Sequence, residues 1–94
     1  AARWYRKAAE QGIATAQASL GEMYRDGQGV SRDYVMAHLW LSLAVSKTGI
    51  EGNYQSNIAT ERDDVAARMT PRQIAEARRL ALEWKPATNF VGAK

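Results

Sequence analysis

Residues 14–34 read Ala14-Thr-Ala-Gln-Ala-Ser-Leu-Gly-Glu-Met-Tyr-Arg-Asp-Gly-Gln-Gly-Val30-Ser-Arg-Asp-Tyr34, and a second apolar-periodic run continues through Trp40 to Val45. Apolar residues recur at helical spacing on both sides of Asp26-Gly27-Gln28-Gly29, whose residues suit positive φ and break the helix. The stretch therefore predicts a helical hairpin. Its second arm is echoed by the chain's opening, because Trp4 and Trp40 stand 36 residues apart and the same offset pairs Ala1 with Ala37 and Ala8 with Ala44. A period in this range signals stacked two-helix units that cannot bury their faces alone.

Composition agrees with one small helical domain. The chain has 94 residues, 46% of them hydrophobic, with alanine rather than Val or Ile prominent, which favours close-packed helices over strands. A domain of this length buries roughly two-thirds of its unfolded surface. The densest apolar run, Leu39 to Val45, is far short of a membrane span, so none is expected and the chain should be soluble. Cysteine is absent, which rules out disulfides and thiolate metal sites and leaves the compartment open between cytoplasm and periplasm. The opening Ala-Ala-Arg-Trp, without Met or leader, suggests a trimmed piece.

Helices are expected over roughly 1–11, 14–25, 32–46, 53–68 and 71–84. In the first, Trp4, Tyr5, Ala8 and Ala9 share a face, and Gly12 closes the helix. In the second, Ala16, Leu20, Met23 and Tyr24 form the buried stripe, with Gly21 on the packed side, where a neighbouring helix backbone or a Trp ring could come close. Ser31 is read as the N-cap of the third, which packs Tyr34, Ala37, Trp40, Leu41, Ala44 and Val45. A linker covers 47–53. In the fourth, Ile58, Arg62, Val65, Ala66 and Met69 share a face. Thr70-Pro71-Arg72-Gln73 has the makings of a capping box for the fifth, which packs Ile74, Ala77, Ala81 and Trp84 and ends at Pro86. Residues 87–94 read as a tail.

These residues resemble a known family. Ala-x-x-Trp-Tyr-x-Lys-Ala-Ala-x-x-Gly at 1–12, Ala-x-Ala-Gln-x-x-Leu-Gly-x-Met-Tyr-x-x-Gly-x-Gly-Val-x-x-Asp at 14–33 and Ala-x-x-Trp at 37–40 are similar to the Sel-one-like repeat, a relative of the tetratricopeptide repeat. The resemblance implies an all-α, right-handed α/α solenoid of about five antiparallel helices, serving as a non-catalytic adaptor for a protein or peptide partner in a longer bacterial-type repeat protein. No cofactor is implied. Residues 1–12 would be the second arm of a truncated repeat, 13–48 one full repeat and 49–86 an atypical C-terminal capping pair. The fourth helix departs from the pattern in lacking the Leu-Gly-x-Met-Tyr and Gly-x-Gly-Val signatures. With its first arm missing, the opening helix would leave a face of Trp4, Tyr5 and Ala8 for self-association or for preceding repeats.

In related solenoids the first helix of each unit lines the concave side. By resemblance, Thr15, Ser19, Glu22 and Arg25 on the second helix, with Asn53, Asn57 and Thr60 on the fourth, are candidate protein-binding residues. The same positions read equally as ordinary wet surface. A structural segment that self-assembles through its first helix is the alternative function. A third reading, nucleic-acid binding through the C-terminal helix, draws on the net charge of +3. Against it, Arg72, Glu76, Arg79 and Glu83 are spaced to pair with one another, leaving only a diffuse basic edge of Arg68, Arg72, Arg78 and Lys85.

Sharper chemistry finds little support. Trp4, Trp40 and Trp84 are read as packing residues rather than a ligand cage. His38 and Ser42 share a helix face, but Asp33 lies about 140° round the cylinder and no oxyanion hole is in sight, so His38 is expected as a solvated outer residue. Glu61, Asp63 and Asp64 lack the features of a calcium loop and are expected on an exposed face. No metal site follows.

Overall fold

The computed structural model describes residues 2–46 and 52–85. Five helices make up this part of the chain: α1 (Ala2–Glu10), α2 (Ala14–Asp26), α3 (Tyr34–Ser46), α4 (Gly52–Ala66) and α5 (Pro71–Glu83). Among the described residues there is no strand, and the order of packing is that of an α/α solenoid: α1 on α2, α2 on α3, α3 on α4. Of the linker expected over 47–53, residues 47–51 lie outside the described residues, as does the tail expected over 87–94, while Gly52 and Asn53 already belong to α4.

The α2–α3 hairpin is tied by its own backbone. Gly27 sits at φ 73° and its N–H donates to the Met23 carbonyl at 2.7 Å, a left-handed closure that a side chain would strain. The Asp33 N–H then reaches back to the Tyr24 carbonyl at 3.0 Å and pins the start of α3 to the end of α2. Here the reading of Ser31 as N-cap is corrected. Asp33 takes that place, because its Oδ1 accepts from the Met36 N–H at 3.2 Å while Ser31 stays exposed. At α5 the capping box forms as expected, with Gln73 N–H on Thr70 Oγ1 at 3.1 Å and Thr70 N–H on Gln73 Oε1 at 2.9 Å.

Between α2 and α3 the backbones approach closely at Gly21, where a Cβ would lie 3.2 Å from the Ala37 carbonyl oxygen. Leu20 and Leu41 fill the seam on either side and are fully buried. Because α2 is packed from both sides, its covered arc is wider than the expected stripe: Gln17 and Ala18 are buried as well, and Met23 only half so. The Gln17 Nε2 donates at 3.1 Å to the Ala9 carbonyl at the end of α1, which also accepts from the Gly12 N–H at 3.0 Å. Tyr24 receives a hydrogen bond on its hydroxyl from Arg6 of α1.

The three tryptophans part company. Trp40 is 4% exposed and packs against half-buried Trp84, as expected of core residues, but Trp4 is 66% exposed and the reading of it as a packing residue is corrected. No described element covers it beyond its edge-to-face contact with Tyr5. The opposite correction applies to Ala8. It is buried under α2, so the exposed N-terminal face consists of Trp4 with half-buried Tyr5, not of all three residues.

Both α4 and α5 pack on α3 and make little contact with each other. Ile58 and Val65 of α4 and Ala77 of α5 seal the α3 side. On the outer side of α5, Arg79 pairs with Glu83 at 3.3 Å and with Glu76 at 3.9 Å, whereas the expected Arg72–Glu76 pair is not made. No described helix is long and apolar enough to cross a membrane.

Candidate functional site

The expected stripe on α2 divides into two environments. Thr15 is exposed and Ser19 half-buried, and both line a shallow cleft of about 280 Å³ that is shared with Trp4, Tyr5 and Ile13. Glu22 and Arg25, two turns further on, face α4 instead. There Arg25 Nη1 stands 3.6 Å from Glu61 Oε1, while its Nε and Nη2 hold the two Asp26 oxygens at 2.9 and 3.0 Å.

Glu22 is the unusual group of this cluster. Its pKa is pushed up to about 7, first by burial and then by the neighbouring Glu61 carboxyl. Arg25 pulls the other way without compensating. The α2–α4 seam therefore sets two carboxyls near one guanidinium. Glu61 was expected on an exposed acidic face. It is half-buried and turned toward α2, unlike Asp63 and Asp64, and only the stacking of α4 against the preceding hairpin brings it there.

On α4, Asn57 and Thr60 are exposed, and Thr60 Oγ1 donates to the Ser56 carbonyl at 3.0 Å. The side chain of Asn53 lies outside the described residues. Glu22, Arg25 and Glu61 thus form one contiguous polar seam, while Thr15 and Ser19 belong to the N-terminal cleft.

His38 is a further correction. It is 7% exposed rather than solvated, lying at the junction of α3, α4 and α5 with Nδ1 3.3 Å from Ser42 Oγ. Burial lowers its pKa, and the guanidiniums of Arg62 and Arg78 lower it further. Asp33 does not complete a triad with this pair, since its carboxylate caps α3. No described group of three or more His, Asp or Glu residues could hold a metal ion.

The hairpin and its echo now have counterparts in known sequences. The model of the Sel1 repeat matches residues 1–13 and 14–48, together just over half of the chain. The chain belongs to the Sel1 repeat family. The second match spans α2, the glycine turn and α3, and the first covers α1 alone, so the Sel1 repeat boundary falls where α1 hands over to α2. The pair α4–α5 lies beyond both matches. Sel1 repeats are helical and generally act as protein-interaction modules without catalysis. Neither the curated proteins nor the solved structures contain a match to this chain.

Proposed function

We propose that this chain is a non-catalytic protein-interaction scaffold, binding a polypeptide across the exposed parts of α2 and α4. The observation that carries the reading is the Sel1 match over α1 to α3, in a family whose members generally serve as interaction modules. The contact residues would be Thr15, Ser19, Glu22 and Arg25 with Asn53, Asn57 and Thr60, and α4–α5 would close the array as a capping pair. Stacked hairpins suit this role because the helix backbones satisfy one another internally and leave side chains free to specify a partner.

The test is selection of peptides on the immobilised chain. Binders chosen in this way should associate with the purified protein in calorimetry and lose about tenfold in affinity, one polar contact's worth, when Glu22 and Asn57 are changed to Ala. Selection that yields no binder, or binders indifferent to both changes, would remove the proposal.

A second reading has its own support. Trp4 at 66% exposure beside Ile13 at 47% is an apolar surface that suits self-association through α1.

A further inference from the structure

Because α4 and α5 both lean on α3 yet hardly touch each other, a cleft of about 370 Å³ opens between them. His38 and Ser42 of α3 lie at its base. One side, from α4, presents Arg62, Asp63 and Ala66; the other, from α5, presents Ile74 and Arg78. Arg62 spends its Nε on Asp63 at 3.3 Å, which leaves its Nη groups unengaged, and Arg78 makes no hydrogen bond or ion pair with any described residue. By contrast, Arg68 just past the end of α4 pairs with Asp64, and Arg79 of α5 pairs with Glu76 and Glu83. Of the two α5 guanidiniums left unpaired among the described residues, Arg72 and Arg78, it is Arg78 that faces the cleft.

We propose that this cleft receives the carboxylate of an acidic side chain from a bound polypeptide, held between Arg78 and the Nη edge of Arg62. A guanidinium matches a carboxylate through two parallel N–H···O bonds, and two such groups from different helices fix its position. Ser42 adds a neutral hydrogen-bonding group at the base. Ala66 and Ile74 give the methylene stem of a glutamate something apolar to lie against.

Charge balance favours this occupant over a phosphate. With His38 neutral, two guanidiniums and the Asp63 carboxylate leave the lining at a single positive charge, which matches a monoanion, whereas a dianion would meet Asp63 uncompensated. The inference rests on the reading of the chain as a polypeptide binder, and adds to it a location away from the Glu22 seam and a requirement for acidic partner residues.

His38 is the only histidine, so its ring protons give a single isolated reporter at the base of the cleft. Acetyl-Ala-Ala-Glu-Ala-Ala-amide, its Gln counterpart and inorganic phosphate would each be titrated into the purified chain at constant ionic strength and followed by proton NMR. The Glu peptide should move the His38 signals saturably, with a dissociation constant on the order of millimolar for so short a probe, and raise the midpoint of the His38 titration by placing negative charge beside the ring. In the free protein that midpoint is set first by burial and then by Arg62 of α4 and Arg78 of α5, which lower it, against Asp63 of α4, which raises it. Arg78→Gln should weaken the Glu peptide by about tenfold. Arg79→Gln, whose side chain is engaged by Glu76 and Glu83, should not.

Equal responses to the Glu and Gln peptides, insensitivity to Arg78→Gln, or no saturable shift would each overturn the proposal. So would a tighter response to phosphate, which would make the cleft a phosphate site. Arg78 is exposed, and a thermal melt confirms that its variant folds. If peptides selected as described above still bind while the cleft stays silent, the scaffold reading stands and only the carboxylate site is lost; if both fail, the scaffold reading goes too.

Discussion

The Trp84 indole stands edge-on to that of Trp40, their ring centroids 6.0 Å apart and their planes at 77°. That contact is where α5 covers α3, and it explains why two tryptophans at equivalent repeat positions differ: Trp40 is 4% exposed and Trp4 66%. Trp40 should therefore be a main anchor of the array. Its replacement by Ala is expected to cost about 3 to 5 kcal/mol, against a typical domain stability of roughly 5 to 15 kcal/mol. Urea unfolding checks this, and an unchanged midpoint would show that the ring is not holding α5 in place.

Gly21→Ala sets two effects against each other. Alanine is the better helix former by about 1 kcal/mol. Against that, the new methyl would lie 2.8 Å from Leu41 Cγ and 3.2 Å from the Ala37 carbonyl oxygen. Leu41 is fully buried and the carbonyl belongs to the α3 backbone, so neither can swing clear. Overpacking of this kind costs about 1 to 3 kcal/mol, and net destabilisation is expected. A midpoint equal to or above that of the native chain in denaturant would contradict the close approach of α2 and α3.

The Glu22 carboxyl should make the stability depend on pH. Its folded pKa of about 7 lies above the ordinary glutamate value of 4.5, so the folded state holds an extra proton between those values. The stabilisation is full below about pH 4.5 and is lost as pH rises through about 7. His38 acts in the opposite direction: its folded pKa is lowered, so its contribution is present above the ordinary histidine value of 6.5 and lost as pH falls through the lower folded value. The difference between the native chain and Glu22→Gln isolates the first effect. That difference should shift in favour of the Gln variant between pH 5 and pH 8, and a difference that stays flat with pH would refute the raised pKa of Glu22.

Trp4→Ser addresses self-association. The ring contributes little to the fold because it stands largely in water, so the variant should melt near the native temperature. Light scattering over a concentration series should show the native chain gaining mass and the variant remaining monomeric. A native chain that stays monomeric throughout would end the self-assembly reading.

Local structure was legible from the order of residues. Asp26-Gly27-Gln28-Gly29 marks a turn because Gly27 enters a positive-φ conformation that few other residues tolerate, and Thr70-Pro71-Arg72-Gln73 marks a helix start because the needed hydrogen bonds close within four residues. The Ser31 misreading shows the limit even here. Ser31 and Asp33 are both competent caps, and the tie of Asp33 to Tyr24 across the turn decides between them.

Five helices, the hairpin with its repeat and the family could be read from the order of residues alone. Each follows from interactions spanning a few residues or from a pattern that recurs along the chain. It took the packing of the helices to bring Glu22 beside Glu61, to bury His38 beneath two arginines, and to roof Trp40 while leaving Trp4 bare. Periodicity tells which side of a helix is apolar, but burial and charge depend on which other helix lies against that side. Here α3 meets both α4 and α5, and α1 meets only α2 on any scale, so one design placed twice acquires two environments.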